Sequence, residues 1–382
     1  MTAVLAAVSM TAAVPAVPAL AYTDSNGVYD AARTATLEDN ILEYEELEDL
    51  IREYNPTMVQ KNMDYYQQVT SYEELKSQLE QSRREIKSAA EDLEKEGDTE
   101  TAKLYQDNVS SLSRSESSIQ KSIDNLEEEK STKSLAREAY ALTATAQSLM
   151  NSYNQFKAKR DYTEKQRQLQ ESIYQDTKAK AELGISTEAE VAAAKKSMEA
   201  AENTLKSLDN SIDSTRRNLC IMTGWSYNSQ PEIRGIPEPD LAAIDAIDLV
   251  SDKARAVNNN YDVQSSRHSV GKSVNKEQKS TRRSADETEQ EKSITIEDLY
   301  DDVRTKKLEY EAAVTAYESA AQTYAGLQAK QQLGMLSNTE YLQGEADYME
   351  KESDKNVASM ALYQAVETYG WAVEGLISTS DS

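Results

Sequence analysis

A chain of 382 residues is long enough for two ordinary domains, but only 38% of it is hydrophobic and 29% is charged, which favours thin, elongated packing over a thick globular core. Its formal charge of −25 excludes nucleic acid and an anionic membrane surface as partners, because both would repel it. A solvated, exported surface fits that charge.

The chain opens with "MTAVLAAVSMTAAVPAVPALA", apolar and small throughout and ending in Ala19-Leu20-Ala21, the small-x-small pattern that signal peptidase accepts. Residues 1–21 read as a secretion signal cleaved before Tyr22, and 22–36 as an N-terminal extension. A membrane anchor is the competing reading, opposed by Pro15, Pro18 and the short apolar length. The chain is thus expected to be exported, to the cell envelope or cell surface. The remaining prolines stand at 56, 231, 237 and 239, so 57–230 and 240–382 carry no proline and long helices are permitted there.

A first helical repeat is expected over 37–223. Its clearest part follows Gly184, where Val191, Ala194, Met198, Ala201, Leu205, Leu208, Ile212, Thr215, Leu219 and Met222 alternate steps of three and four. That is a heptad seam. Before the same glycine, Leu135, Ala139, Leu142, Ala146, Leu149, Tyr153 and Phe156 keep the same spacing. Two helices of coiled-coil type therefore flank "LGIST". A linker follows at 224–241, "GWSYNSQPEIRGIPEPDL", rich in proline and glycine.

The second repeat is expected over 242–376, with a tail at 377–382. Ile296, Val303, Tyr310, Tyr317 and Tyr324 are spaced by seven before Gly334, and Leu362, Val366, Tyr369, Val373 and Leu376 follow it. Tyrosine replaces leucine on this seam, which suits a thin wall wetted on both sides. Upstream, "DLIREYNPTMVQ" at 49–60 is echoed by "KARAVNNNYDVQ" at 253–264, pairing Asn55 with Asn260. The offset is 205 residues at the asparagines but 150 at the glycines, so the second copy is 55 residues shorter between these landmarks. In copy one the extra stretch is charged and helix-like, broken at Gly97-Asp98 as a helical hairpin is; in copy two, 265–293 is almost free of apolar residues and reads as a polar loop. Neither contains an alternating apolar strand.

Catalytic constellations are missing. His268 is the only histidine, so no paired-histidine metal or catalytic site can form within one chain, and its polar surroundings make it a solvated side chain. Cys220 is alone, which rules out an internal disulfide framework; in "NLCIMTGW" it reads as a small buried hydrophobe. "SVGKS" at 269–273 resembles the end of a phosphate loop, but the pattern requires glycine where Ser266 stands and a strand before it. The scattered carboxylates read as solvated helix faces. No enzyme, cofactor or metal is expected.

Gly184 and Gly334 answer to one description. In "LGISTEAEV" the glycine can take the left-handed conformation that stops a helix, Ser186 or Thr187 can cap the next, and Glu190 lies in its first turns. "LGMLSNTEYL" does the same with Gly334, Ser337 and Glu340. Each glycine marks the tip of a long antiparallel hairpin, at 183–190 and 333–340. The fold class expected is all-α, two tandem repeats of coiled-coil hairpins with little or no β.

The ordered set of a short helix ending in "LIREYNP", a long helix, an "LG" tip, a heptad helix ending in "L..MTGW" and a proline-rich linker, run twice, resembles the outer membrane efflux protein family, the TolC-like exit ducts. The resemblance covers roughly 37–376 and implies a homotrimer whose hairpins close a hollow twelve-helix α-barrel. It also implies that the tips dock on a periplasmic membrane-fusion adaptor, itself coupled to an ABC transporter or other inner-membrane pump. Carried over by position, the docking residues are Leu183, Gly184, Ile185, Ser186 and Thr187 with Leu333, Gly334, Met335, Leu336 and Ser337. Acidic aperture residues of the family fall on Glu340 and on Gln343, the latter a departure from the pattern. A larger departure is the absence of membrane strands, each of which needs about 9–11 alternating residues. A second class of function, a structural or adhesive coiled-coil spacer of the cell surface, uses the same hairpins and stays open.

Overall fold

The structure is a computed structural model and describes residues 31–376 other than 128 and 273–275. The expected secretion signal at 1–21 and the tail at 377–382 lie outside the described residues. Among the described residues the chain is all-α apart from one pair of two-residue strands. In order the helices are α1 (Ala31–Leu37), α2 (Leu47–Tyr54), α3 (Pro56–Glu96), α4 (Thr99–Glu127), α5 (Glu129–Glu182), α6 (Glu188–Met222), α7 (Leu241–Asp245), α8 (Leu249–Asn259), α9 (Tyr261–Lys272), α10 (Lys276–Gln332) and α11 (Asn338–Val373).

Four long helices make a layer one helix thick, in the order α6, α5, α11, α10. The heptad positions of α6 are all half-buried or buried from Val191 to Met222, because they pack on α5. On α10 and α11 the tyrosine seam forms a ladder across the hairpin: the Tyr317 and Tyr348 hydroxyls lie 3.1 Å apart, those of Tyr324 and Tyr341 2.9 Å, and the Tyr324 and Tyr348 rings stack at 4.9 Å. Each phenol is thus half-buried and keeps a polar partner.

α5 has neighbours on two sides, and the second is polar. Asn151, 2% exposed, donates from Nδ2 to the Met360 carbonyl and to Gln364 Oε1, both at 2.8 Å, and Trp371 Nε1 donates to Gln147 Oε1 at 2.9 Å. These contacts join the α5–α6 hairpin to the α10–α11 hairpin. A polar seam leaves no hydrophobic periodicity, which is why the apolar spacing revealed only the side of α5 that packs on α6 and α2.

α3 and α4 form a second hairpin that runs away from the tips. Val69, Tyr72, Lys76, Leu79, Arg83, Ile86, Ala90 and Leu93 line its inner face on α3, again in steps of three and four. Charged members of this seam meet polar partners on α4: Arg83 Nε lies 2.7 Å from Glu116 Oε1, and Lys76 Nζ donates to Gln120 Oε1 at 2.6 Å. Lys61 pairs with Glu138 of α5 at 2.9 Å, so α3 keeps one antiparallel register along α4 and into α5.

The polar loop expected at 265–293 is corrected by the structure. Its described residues are helical, the end of α9 and the start of α10. Helix here rests on good helix formers and on ion pairs, Arg267 to Glu289 at 2.5 Å and Lys292 to Asp262 at 3.2 Å, with Val263 and Ala285 as the buried apolar contacts.

The apolar cores sit at the equator, where the hairpins of both directions meet. One gathers Leu47, Leu50, Ile51, Met58, Met150 and Leu219; the other gathers Ile244, Ile296, Val303, Leu362 and Val373. Leu42 and Ile233 both enter the first core: the strands β1 (Ile41–Leu42) and β2 (Glu232–Ile233) pair in parallel, Ile41 opposite Glu232 and Leu42 opposite Ile233.

Candidate functional site

Both hairpin tips are built by the same local chemistry. Gly184 has φ +72° and Gly334 φ +71°, and each turn is closed by a backbone bond back to the incoming helix, from Ile185 N to Lys180 O at 2.8 Å and from Met335 N to Lys330 O at 3.0 Å. Thr187 and Ser337 then cap α6 and α11 in capping boxes with Glu190 and Glu340. The Glu340 carboxylate accepts from Ser337 N at 2.9 Å and Ser337 Oγ at 2.7 Å. Those bonds, backbone first, hold its pKa below the usual carboxylate range.

The caps leave large apolar side chains in water at the end of each hairpin. Leu183 is 75% exposed and Ile185 72%, matched in the second tip by Leu333 at 74% and Met335 at 70%. Ser186 and Leu336 are half-buried, and Thr187 and Ser337 are spent on capping. Gln343 is exposed and donates to Asp347 at 2.7 Å, one turn further along α11.

The tips lie at one end of the layer but at different heights. Asn338 at the start of α11 reaches Ser172 Oγ at 3.4 Å, and Thr339 Oγ1 donates to Asp176 Oδ2 at 2.6 Å. α5 runs on past these contacts to Glu182, so at about 1.5 Å per residue the first tip stands roughly 12 Å beyond the second. The Ser172, Asp176 and Thr339 links between hairpins were not found by sequence reasoning. They are ordinary polar residues on exposed helix faces, and only the register of α5 on α11 brings them together.

At the equator a paired clamp repeats. Asn55, 4% exposed, caps α3 by accepting from Thr57 N and Met58 N, and donates to the Met222 carbonyl at 2.7 Å. Asn260, 5% exposed, caps α9 through Asp262 N and Val263 N and reaches the Gly375 carbonyl at 3.4 Å. Gly224 and Gly375 each have φ +78°, and a Cβ on either would overlap the backbone of Tyr54 or of Asn259 and Asn260. Each return helix is thereby fastened to the short helix that precedes the opposite arm.

Beside this clamp lies a half-buried carboxyl. Glu367 accepts from Gln147 Nε2 at 3.3 Å, and burial raises its pKa against that bond. Burial, then the nearby Glu367, pushes Tyr363 up to about 12 and raises Tyr44 as well. Cys220 is buried and its thiol is raised by burial. His268 is exposed on α9. Of "SVGKS", Gly271 and Lys272 end α9, and Ser273 lies outside the described residues. Among the described residues no group of three or more His, Cys, Asp or Glu is placed to hold a metal ion, and no helix is long and apolar enough to cross a membrane.

No protein-family model matches the sequence, and no curated protein does. Among solved structures, the chain is similar to the Campylobacter jejuni CmeC outer membrane channel, with 13% identity, 73% of this chain and 69% of that chain covered, and a TM-score of 0.40. The outer membrane protein VceC from Vibrio cholerae gives 12% identity, coverage of 63% and 72%, and a TM-score of 0.45. CusC, described with conformational changes accompanying folding and transmembrane channel formation, gives 13%, coverage of 82% and 97%, and 0.44. At identities and TM-scores this low the likeness is one of general layout, and a functional reading stands on this chain's own residues.

Proposed function

We propose that the chain is the subunit of a TolC-like exit duct of an efflux or secretion system. Three copies close the four-helix layer into a hollow twelve-helix cylinder, with α6 of each copy against α10 of the next. The tips dock on a membrane-fusion adaptor of an ABC-type or similar pump, and solutes pass without a catalytic step. The observation that carries this reading is the layer itself: it is one helix thick, among the described residues its outer helices α6 and α10 each lack a long neighbour on one side, and its two apolar tips lie at the same end, where Asn338 and Thr339 reach Ser172 and Asp176. A layer with two free edges is completed by repetition about an axis.

A cell-surface spacer is the second reading, and the α3–α4 hairpin favours it, since that coiled coil is closed on itself and projects into solvent. Electron microscopy of the purified chain, alone and with an adaptor, separates the two. Ring-shaped end views with a lumen support the duct. Solid rods or single hairpin pairs at every concentration, with adaptor present, overturn it.

A further inference from the structure

We infer that the end of the duct opposite the tips is an open crown of three separate two-helix spikes with lateral windows between them. The inference rests on the trimer proposed above. Both upward arms leave the equator from equivalent asparagine caps, Asn55 and Asn260, but they differ in length. α3 has 41 residues and α9 has 12, or about 62 Å against about 18 Å at 1.5 Å per residue. Around a twelve-helix wall, every second hairpin position therefore ends low.

The spikes have no means of closing those gaps. The heptad positions of α3 and α4 face each other within one hairpin, and among the described residues no further helix packs along it beyond its base. Its outer faces are mostly Ser, Glu, Gln and Lys. The large apolar side chains exposed on it are Leu75 and Leu104, separated by several helical turns along the arm, so a neighbouring spike would find no continuous surface to bury. The charged seam pairs Arg83 with Glu116 and Lys76 with Gln120 fix a two-stranded register. Each gap is about one hairpin wide, roughly 20 Å for two helices of about 10 Å each. Solute reaching the equator leaves sideways as well as along the axis.

Disulfide trapping in the full chain tests this, with Cys220→Ser as the background. The Arg160–Asp209, Lys165–Glu345 and Tyr317–Tyr348 contacts set the helix registers and place Asn203 of α6 level with Ser319 of α10. Ser88 and Ser110 stand at one height of the α3–α4 arm, both exposed and facing away from its seam. A disulfide needs Cα atoms within about 7 Å, so bonds form only where neighbouring copies touch. Under copper-phenanthroline oxidation, the Asn203→Cys, Ser319→Cys variant is expected to run as a covalent trimer, and the Ser88→Cys, Ser110→Cys variant as a monomer. Covalent multimers from both would keep the trimer and overturn the crown. Multimers from the arm variant alone would overturn it too, and absence of both removes the trimer and the crown together.

Discussion

Gly224 and Gly375 hold the equator in the same way, by letting one backbone lie directly on another. Replacing either with alanine combines an unfavourable left-handed φ, about 1–2 kcal/mol, with overlap against Tyr54 or Asn259, about 1–3 kcal/mol more. Gly224→Ala and Gly375→Ala are therefore expected to lose roughly 3 kcal/mol in urea denaturation. Gly184→Ala at the open tip has nothing within reach of a new Cβ and should lose only about 1 kcal/mol. Sequence showed Asn55, Asn260 and the tip glycines because each sits in a string repeated in both copies. It did not show that Gly224 and Gly375 correspond, because "MTGW" has no counterpart around Gly375: what recurs is a φ and a close approach, neither of which dictates the neighbouring letters. At the tips, Ile185→Asp and Met335→Asp change exposed side chains and leave both capping boxes intact. In the double variant carrying both changes, adaptor binding in a pull-down should disappear while melting temperature hardly moves, and retained binding would sink the docking proposal. Glu367 supplies a pH test. Burial raises its folded pKa, so as pH climbs from the unfolded value near 4.3 the unfolded chain releases its proton first, and stability is lost through the folded pKa. Glu367→Gln keeps an acceptor for Gln147 and should gain on the wild type as pH rises toward neutrality, in urea melts at a series of pH values. Curves that run parallel would show that the carboxyl is not strained.

Among the elements, how much was legible followed how apolar each seam is. The α6 seam was read in full because Val, Leu, Ile and Met occupy it. The α3–α4 hairpin was recognised only by its break at Gly97-Asp98, since Lys76, Arg83 and Glu116 interrupt the apolar rhythm that would have revealed its heptads. α9 and the start of α10 looked like a loop for the same reason carried further. Polar residues in a coiled-coil seam lower stability and fix pairing, which yields a test for this arm. Changing both Arg83 and Glu116 to leucine should raise the melting temperature and at the same time promote self-association, measured by sedimentation velocity. A variant that is more stable and still shows the wild-type association state would mean that the charged pair does not govern pairing.

On the scale of the whole molecule, α4 with 29 residues and α5 with 54 keep one register against α3 through Arg83–Glu116 and Lys61–Glu138, which is roughly 125 Å of helix at about 1.5 Å per residue. Small-angle scattering of the monomer should return a maximum dimension of at least about that length, and a value below about 100 Å would mean that the two arms fold back on each other. The height difference between the tips has its own outcome in a closed trimer. Six tips form a scalloped rim, three high and three low, so whatever settles on it meets two kinds of seat. An adaptor with identical subunits cannot engage all six equally. Titration should show two steps, a first set of three filling at lower concentration than the second, and the Met335→Asp change should erase one step while leaving the other in place.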